Sequence, residues 1–333
     1  TREVECSLLT MLSILLLFSP SSMPTITLRN GVKMPMLLFG TPNCKLGDDA
    51  CHAEVAAEIN LALPIGFDGI DTADHYHNEL GIAQSDLHGS SAWVTSKVEA
   101  CNNSYVKLGS CAADTRAVFM RNLAQLNASS VSLMLLHAPT ATRGGSHVYP
   151  GPQFDAPVCN CSARAACEAM QQQWGAMEAL YSEGKAKAIG VSNYCPACLD
   201  CLAETSKVTP MVNQILMHVG MRALGNASAL PAECTRRGIV AQAYSPLGSG
   251  SSKVLDAALT MKIGAAHDVS SAQVALRWLI QSGYPAITAA SSKQAAYMRE
   301  DVAIFNWTLT STEMAELKVA TFADESPVKM MCY

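Results

Sequence analysis

The chain has 333 residues, of which 49% are hydrophobic and 15% charged, with a net charge of −5. Charged residues usually make up about 25% of a globular domain, so the surface is sparingly charged, and the acidic balance leaves no basic footprint for a nucleic-acid partner. The length permits one large domain or two ordinary ones.

Residues 1–22 contain "CSLLTMLSILLLFSPSS", an apolar run followed by small polar residues. The run is short for a membrane span, which needs about 20 residues, and of the right length for a signal-peptide core. No basic segment precedes it, and the chain begins with Thr. Residues 23–333 read as one domain behind this leader.

The first elements after the leader lie in "TITLRNGVKMPML", where Asn30-Gly31 between two short runs predicts a β-hairpin. From there a short apolar strand followed by a helical pattern recurs. "MPMLLFG" precedes "ACHAEVAAEINLAL", "GFDGID" precedes "NELGIAQSDL", and "AWVTSK" precedes "AADTRAVFMRNLAQL". "VSLMLLH" is separated from "ACEAMQQQWGAMEALYSEG" by a long Gly/Pro-rich loop over 138–162. "AKAIGVSN", "PMVNQILMH", "IVAQAYS" and "PAITAA" supply the remaining strands, each with a helical segment after it. Apolar runs of this kind are buried parallel strands covered by helices. Eight such units predict an α/β fold, a (β/α)8 TIM barrel with the N-terminal hairpin plugging its bottom. A doubly wound sheet is the alternative, but no G-x-G-x-x-G follows the first strand.

Thirteen cysteines are many for a cytosolic enzyme. Outside the leader, close spacing predicts local disulfides: Cys44 with Cys51, Cys101 with Cys111, and Cys159 or Cys161 with Cys167. In "CPACLDC" (195–201) the thiols are spaced by three, which reads as a helix-start disulfide or free thiols before metal or redox use. Glycosylation sequons occur at Asn102, Asn127, Asn160, Asn226 and Asn306, more than the roughly two that chance would supply. Leader, cysteines and sequons together place the chain in the secretory pathway, in the ER lumen or outside the cell. If the leader is not a signal, the placement is cytoplasmic.

The strand ends of a (β/α)8 barrel converge on one face. Read in order, they carry Asp71 with Tyr76 five residues on, then Lys97, His137, "GVSN", "VNQ" and "YSPLGSG". Asp, Tyr, Lys and His together form a proton-donating device. A tyrosine is a weak acid, with a pKa near 10, and a neighbouring ammonium lowers that value while an aspartate holds the lysine. A histidine can polarise a carbonyl oxygen. Hydride delivery lies beyond any side chain and implies a nicotinamide. Asp74, His75 and His77 read as solvated loop residues.

The stretches "GIDTADHYHNE", "WVTSKV", "LLHAP", "GKAKAIGVSNY", "VNQ" and "AYSPLG" make the chain resemble an aldo-keto reductase from about Met23 to about Ala320. The resemblance implies Asp71, Tyr76, Lys97 and His137 as the catalytic tetrad and NADP or NAD as cofactor. It implies cofactor contacts from Thr41, a carboxamide grip by Ser192, Asn193 and Gln214, and stacking of Tyr244 on the nicotinamide. The loop with Ser245, Leu247 and Gly248 would cover the pyrophosphate, and Ser291, Ser292, Glu300 and Asp301 would meet the adenosine end. Two clamp positions that are basic in the family are here Ser291 and Tyr297, with Lys293 and Arg299 nearby as substitutes. Pro42 and Ala138 stand where the family often has aromatics, which would widen the pocket. The activity implied is reduction of a small aldehyde or ketone. The competing reading is an inactive barrel of this family, stapled by disulfides, with protein partners in a larger extracellular or membrane-associated assembly.

Overall fold

The structure, a computed structural model, describes residues 23–101, 109–140, 161, 163–221, 229–248, 253–289 and 294–322. The leader, Cys159, Ser291, Ser292 and Lys293 lie outside the described residues, as do the sequons at Asn102, Asn160 and Asn226.

The hairpin is β1 (Thr25–Thr27) and β2 (Lys33–Pro35), antiparallel, with Thr25 opposite Pro35. Gly31 adopts φ 85°, the left-handed conformation that the Asn-Gly turn requires. Leu28 and Met34 from the hairpin pack with Leu38, Trp93, Leu133, Leu135, Val212 and Ile287. The last six are inward side chains of the barrel or its lower rim, so the hairpin plugs the barrel as the pattern predicted.

The alternation then runs β3 (Leu37–Gly40), α1 (Asp49–Ile65), β4 (Gly69–Asp71), α2 (Glu79–Ala83), β5 (Trp93–Val98), α3 (Cys111–Gln125). It continues with β6 (Val131–Leu136), α4 (Arg164–Ser182), β7 (Ala186–Ser192), α5 (Pro196–Ala203), β8 (Val212–Leu216) and α6 (Leu230–Arg236). The last part is β9 (Val240–Tyr244), α7 (Lys253–Asp256), α8 (Ala258–His267), α9 (Ser271–Gln281), β10 (Ala286–Thr288), α10 (Ala295–Ala303) and α11 (Ser311–Val319). Strands β3 to β10 close into a parallel barrel in sequence order, β10 pairing with both β9 and β3.

Local signals explain where elements stop and start. Gly66 ends α1 at φ 127°, its N–H returning to the carbonyls of Ala62 and Leu63. Capping boxes start α9 (Ser270 with Gln273) and α11 (Thr310 with Glu313). In β7, a Cβ on Gly190 would lie 2.5 Å from the Val212 carbonyl oxygen, so glycine permits the close β7–β8 approach. Among the described residues no helix is long and apolar enough to cross a membrane.

Two local disulfides form as spacing predicted, Cys44–Cys51 and Cys101–Cys111. The third local expectation is overturned. Cys161 bonds Cys198 and Cys167 bonds Cys201, so both bridges run from the α4 segment to α5. "CPACLDC" accordingly closes no bridge within itself: Cys198 and Cys201 face α4, and Cys195 keeps its thiol. Packing of α4 and its leading segment against the neighbouring α5 brought these cysteines together, and no spacing along the chain encodes that.

Candidate active site

Parallel register sets the site. Gly40 lies opposite Asp71, Asp71 opposite Thr95, Ser192 opposite Gln214, and Gln214 opposite Gln242. The polar residues that end these strands therefore share one rim.

Lys97 is 1% exposed, with its ammonium against Asp71 Oδ1 and donating to the Thr72 carbonyl at 2.7 Å. Burial opposes its charge, but Asp71, Tyr76 and Glu99 outweigh that and hold its pKa above the ordinary lysine value. The other Asp71 oxygen accepts from Gln214 Nε2 at 2.7 Å. Lys97 Nζ lies 5.2 Å from the centroid of the Tyr76 ring, and that ring meets His137 edge-on at 5.9 Å. The four predicted residues are thus brought together.

The expectation for the Tyr76 phenol is corrected. Burial pushes its pKa above 10, and the nearby Asp71 and Glu99 carboxylates add to the rise, so Lys97 offsets the shift without reversing it. Taking a phenolate out of water costs more than one ammonium, itself neutralised by Asp71, returns. Tyr76 is accordingly a firmly protonated donor.

Glu99 was missed in the sequence. It is buried, and its Oε1 lies 2.6 Å from His137 Nδ1. With Nδ1 engaged, Nε2 is the nitrogen of His137 that can address a substrate oxygen. The signal available was an acidic residue two positions beyond Lys97, immediately after the end of β5.

Asp74 corrects the reading of a solvated loop. It is buried, and Arg121 Nη2 donates to both of its oxygens at 2.7 and 2.8 Å. Burial still leaves its carboxyl above the usual range despite Arg121. His75 and His77 are half-buried, and the His77 carbonyl accepts from His52 Nε2 at 2.9 Å. Further along the same turn, burial pushes Glu79 up to about 8.

The residues expected at the cofactor form a connected network. Ser192 Oγ donates to the Gln214 carbonyl at 2.9 Å, and Asn193 Nδ2 donates to Ser192 Oγ and to the His137 carbonyl, each at 3.1 Å. Tyr244 OH donates to Asn193 Oδ1 at 2.9 Å. Asn193 holds φ 63°, which aims its side chain back across the rim. Thr41 Oγ1 donates to the Asp71 carbonyl at 3.1 Å and accepts from Asn78 at 2.9 Å. The Ser245–Gly248 turn closes by a 3.0 Å bond from Gly248 N–H to the Ser245 carbonyl, with Leu247 packed toward the core. This set of two amides, a hydroxyl and a half-exposed tyrosine ring matches the donors, acceptors and flat face of a nicotinamide carboxamide.

The adenosine side is described only in part. Tyr297 is exposed, and Arg299 donates to the Ala295 carbonyl of its own helix at 3.3 Å. Glu300 is half-buried. Asp301 is buried, accepts from Thr288 Oγ1 at 2.9 Å, and burial pushes it up to about 7. Pro42 is exposed and Ala138 is buried.

The family model described as "Aldo/keto reductase family" matches residues 37–321. The chain belongs to the aldo/keto reductase family. Members are NAD(P)H-dependent oxidoreductases that act on small carbonyl compounds, and this chain is one of them by descent. It is 32% identical to a 9,11-endoperoxide prostaglandin H2 reductase from Trypanosoma cruzi, covering 88% of this chain and 89% of the relative. It is 30% identical to a glyoxal reductase from Bacillus subtilis, covering 88% and 91%. Among solved structures, an aldo-keto reductase from a Medee basin deep-sea metagenome library superposes with a TM-score of 0.72 at 27% identity, covering 90% of this chain and 96% of that one.

Proposed function

We propose that the protein reduces an aldehyde or ketone to an alcohol, with hydride from a reduced nicotinamide and the proton from Tyr76. The observation that carries this reading is the closed tetrad, in which Asp71 pairs with Lys97, Lys97 sits beneath the Tyr76 ring, and His137 stands at its edge. The nicotinamide, when bound, supplies the hydride. Ser192, Asn193 and Gln214 would hold its carboxamide, Tyr244 would lie against its ring, and Thr41 and the Ser245–Gly248 turn would line its approach.

Each tetrad member has a task that follows from its surroundings. Tyr76 keeps its proton across neutral pH and gives it up as negative charge develops on the substrate oxygen. Lys97 steadies the phenolate that this leaves, and Asp71, fixed by Gln214, keeps Lys97 in place. His137 addresses the same oxygen through Nε2, with Glu99 holding the ring. The competing structural-subunit role finds no support among the relatives. Supplying the purified chain with reduced NADP or NAD and a panel of aldehydes and ketones, and following loss of dihydronicotinamide absorbance, is the test. Turnover is expected. Neither turnover nor cofactor binding would return the chain to a structural role.

The same reading includes a secretory location. Bonded cysteine pairs are typical of oxidising compartments, and Asn127 and Asn306, the two sequon asparagines within the described residues, are both exposed. Glycan mass at either position in protein from its native cell supports that placement, and unmodified peptides with free thiols at Cys44 and Cys101 would overturn it.

A further inference from the structure

The reductase site uses no cysteine, yet three sulfurs meet where α5 begins. Cys195 is the residue that precedes α5, Pro196 opens the helix, and Cys198 lies in its first turn. Cys198 is bonded to Cys161, while Cys195 keeps its thiol. The Cys195 and Cys198 sulfurs are 3.4 Å apart, and all three sulfurs lie within 4.8 Å of one another. All are buried.

A thiol held in contact with a disulfide sulfur is the starting arrangement of thiol–disulfide exchange. Cys234 provides the internal contrast. It is also an unbonded, buried thiol, but its neighbour is the Asn213 amide at 3.5 Å, and burial pushes its pKa up. Cys234 is packed as a small apolar residue, whereas Cys195 is packed against a bond it can attack. The bond under attack is also dispensable for joining α4 to α5, since Cys167–Cys201 ties those two helices directly while Cys161 lies ahead of α4.

We propose that Cys161, Cys195 and Cys198 form an internal thiol–disulfide exchange site. The Cys195 thiolate attacks Cys198 Sγ. An S–S bond forms between Cys195 and Cys198 as the Cys198–Cys161 bond breaks, and the electron pair leaves on Cys161 Sγ. Cys161 takes up the proton that Cys195 gave. One thiol and one disulfide stand on each side, so no oxidant or reductant is consumed. The exchange moves a cross-link: in one isomer α5 is tied to Cys161, in the other its first turn is closed on itself.

The site has a target within reach. Asn193, two residues before Cys195, holds φ 63° and bonds Ser192, the His137 carbonyl and Tyr244. Closing a ring from Cys195 to Cys198 pulls on that strand-to-helix turn, so the two isomers differ in their grip on the nicotinamide. This coupling rests on the proposed reductase reading, whereas the exchange itself does not.

The test is peptide mapping of the full chain, denatured in acid with a thiol-blocking maleimide and digested without reduction. Wild type is expected to give both Cys161–Cys198 and Cys195–Cys198 peptides. Cys195→Ser should give only the first, and Cys161→Ser only the second. Wild type with Cys161–Cys198 alone and Cys195 fully blocked, or zinc bound one-to-one to the three sulfurs in native mass spectrometry, would overturn the exchange. If Cys161→Ser does not fold, the comparison of wild type with Cys195→Ser still decides. Titrating reduced NADP into the two serine variants, both locked, tests the coupling: a severalfold difference in affinity is expected, and equal affinity removes it.

Discussion

Two sides of the barrel rim are built on different terms. Where β4, β5 and β6 end, the ionisable groups are held by partners from other strands: Asp71 by Lys97 and Gln214, His137 by Glu99. Where β10 leads into α10, the described basic group, Arg299, bonds its own helix, and Tyr297 is exposed. Strand register explains the contrast, because a shift of one residue would turn every inward side chain outward and dismantle the core. A phosphate grip on a helix surface can change one residue at a time at little cost to the fold. The comparison teaches that the ionisable groups at the ends of β4, β5 and β6 are fixed by partners from other strands, whereas the described basic group of α10 is not.

The largest effect should come from breaking the cross-strand side. Tyr76→Phe keeps the ring and removes the proton donor, and carbonyl reduction is expected to fall by about 10²–10⁴-fold with cofactor binding intact. Near-normal turnover in that variant would sink the tetrad assignment.

The next concerns the cost of burial in stability. The Glu79 carboxyl loses its proton near 4.5 when unfolded and near 8 when folded. Between those values the folded state binds more protons, so this group's contribution to stability falls as pH rises and levels off above about 8. Glu79→Gln keeps the neutral shape without the ionisation. It should be more stable than wild type above pH 8 by on the order of a few kcal/mol, with no gain below pH 4.5. Urea unfolding at several pH values measures this, and identical profiles would mean that Glu79 is ionised and paired in the fold.

The Cys44–Cys51 bond supports the same side, since the Cys44 N–H donates to the Tyr76 carbonyl at 2.7 Å. Replacing both cysteines by serine should cost roughly 2–3 kcal/mol of stability. A thermal melt unchanged from wild type would show that the bond does not form in solution.

Glu99→Gln sharpens the electrostatic account. Burial is the main reason that the Tyr76 phenol stays protonated beyond pH 10, with Asp71 and Glu99 adding to it. Activity lost through Tyr76 ionisation should therefore fail only above pH 10 in wild type, and at lower pH in Glu99→Gln. An alkaline limb that stays in place would separate Glu99 from Tyr76.

The smallest effect probes the α10 side. Without a cation at 291 or 297, discrimination between the phosphorylated and unphosphorylated cofactors should be within about tenfold, each charged hydrogen bond being worth roughly 1.5–3 kcal/mol. Tryptophan-fluorescence titration with both forms checks it. A hundredfold preference for the phosphorylated form would show that Lys293 or Arg299 has taken over the grip.

How much of this could be read in advance divides along a physical line. Patterns contained within one stretch of chain were legible: apolar runs that end in Asp71, Lys97 and His137, the Asn30-Gly31 turn, and cysteines close enough to pair locally. Each depends on backbone geometry and short-range spacing, which a linear sequence states outright. Tertiary structure decided what depends on meeting a distant segment. Arg121 reached Asp74, Glu99 reached His137, Gln214 reached Asp71, and Cys161 reached Cys198. It also reversed the expected shift of Tyr76, because the free energy of a buried charge belongs to everything packed around it, and only the closed barrel specifies that surrounding.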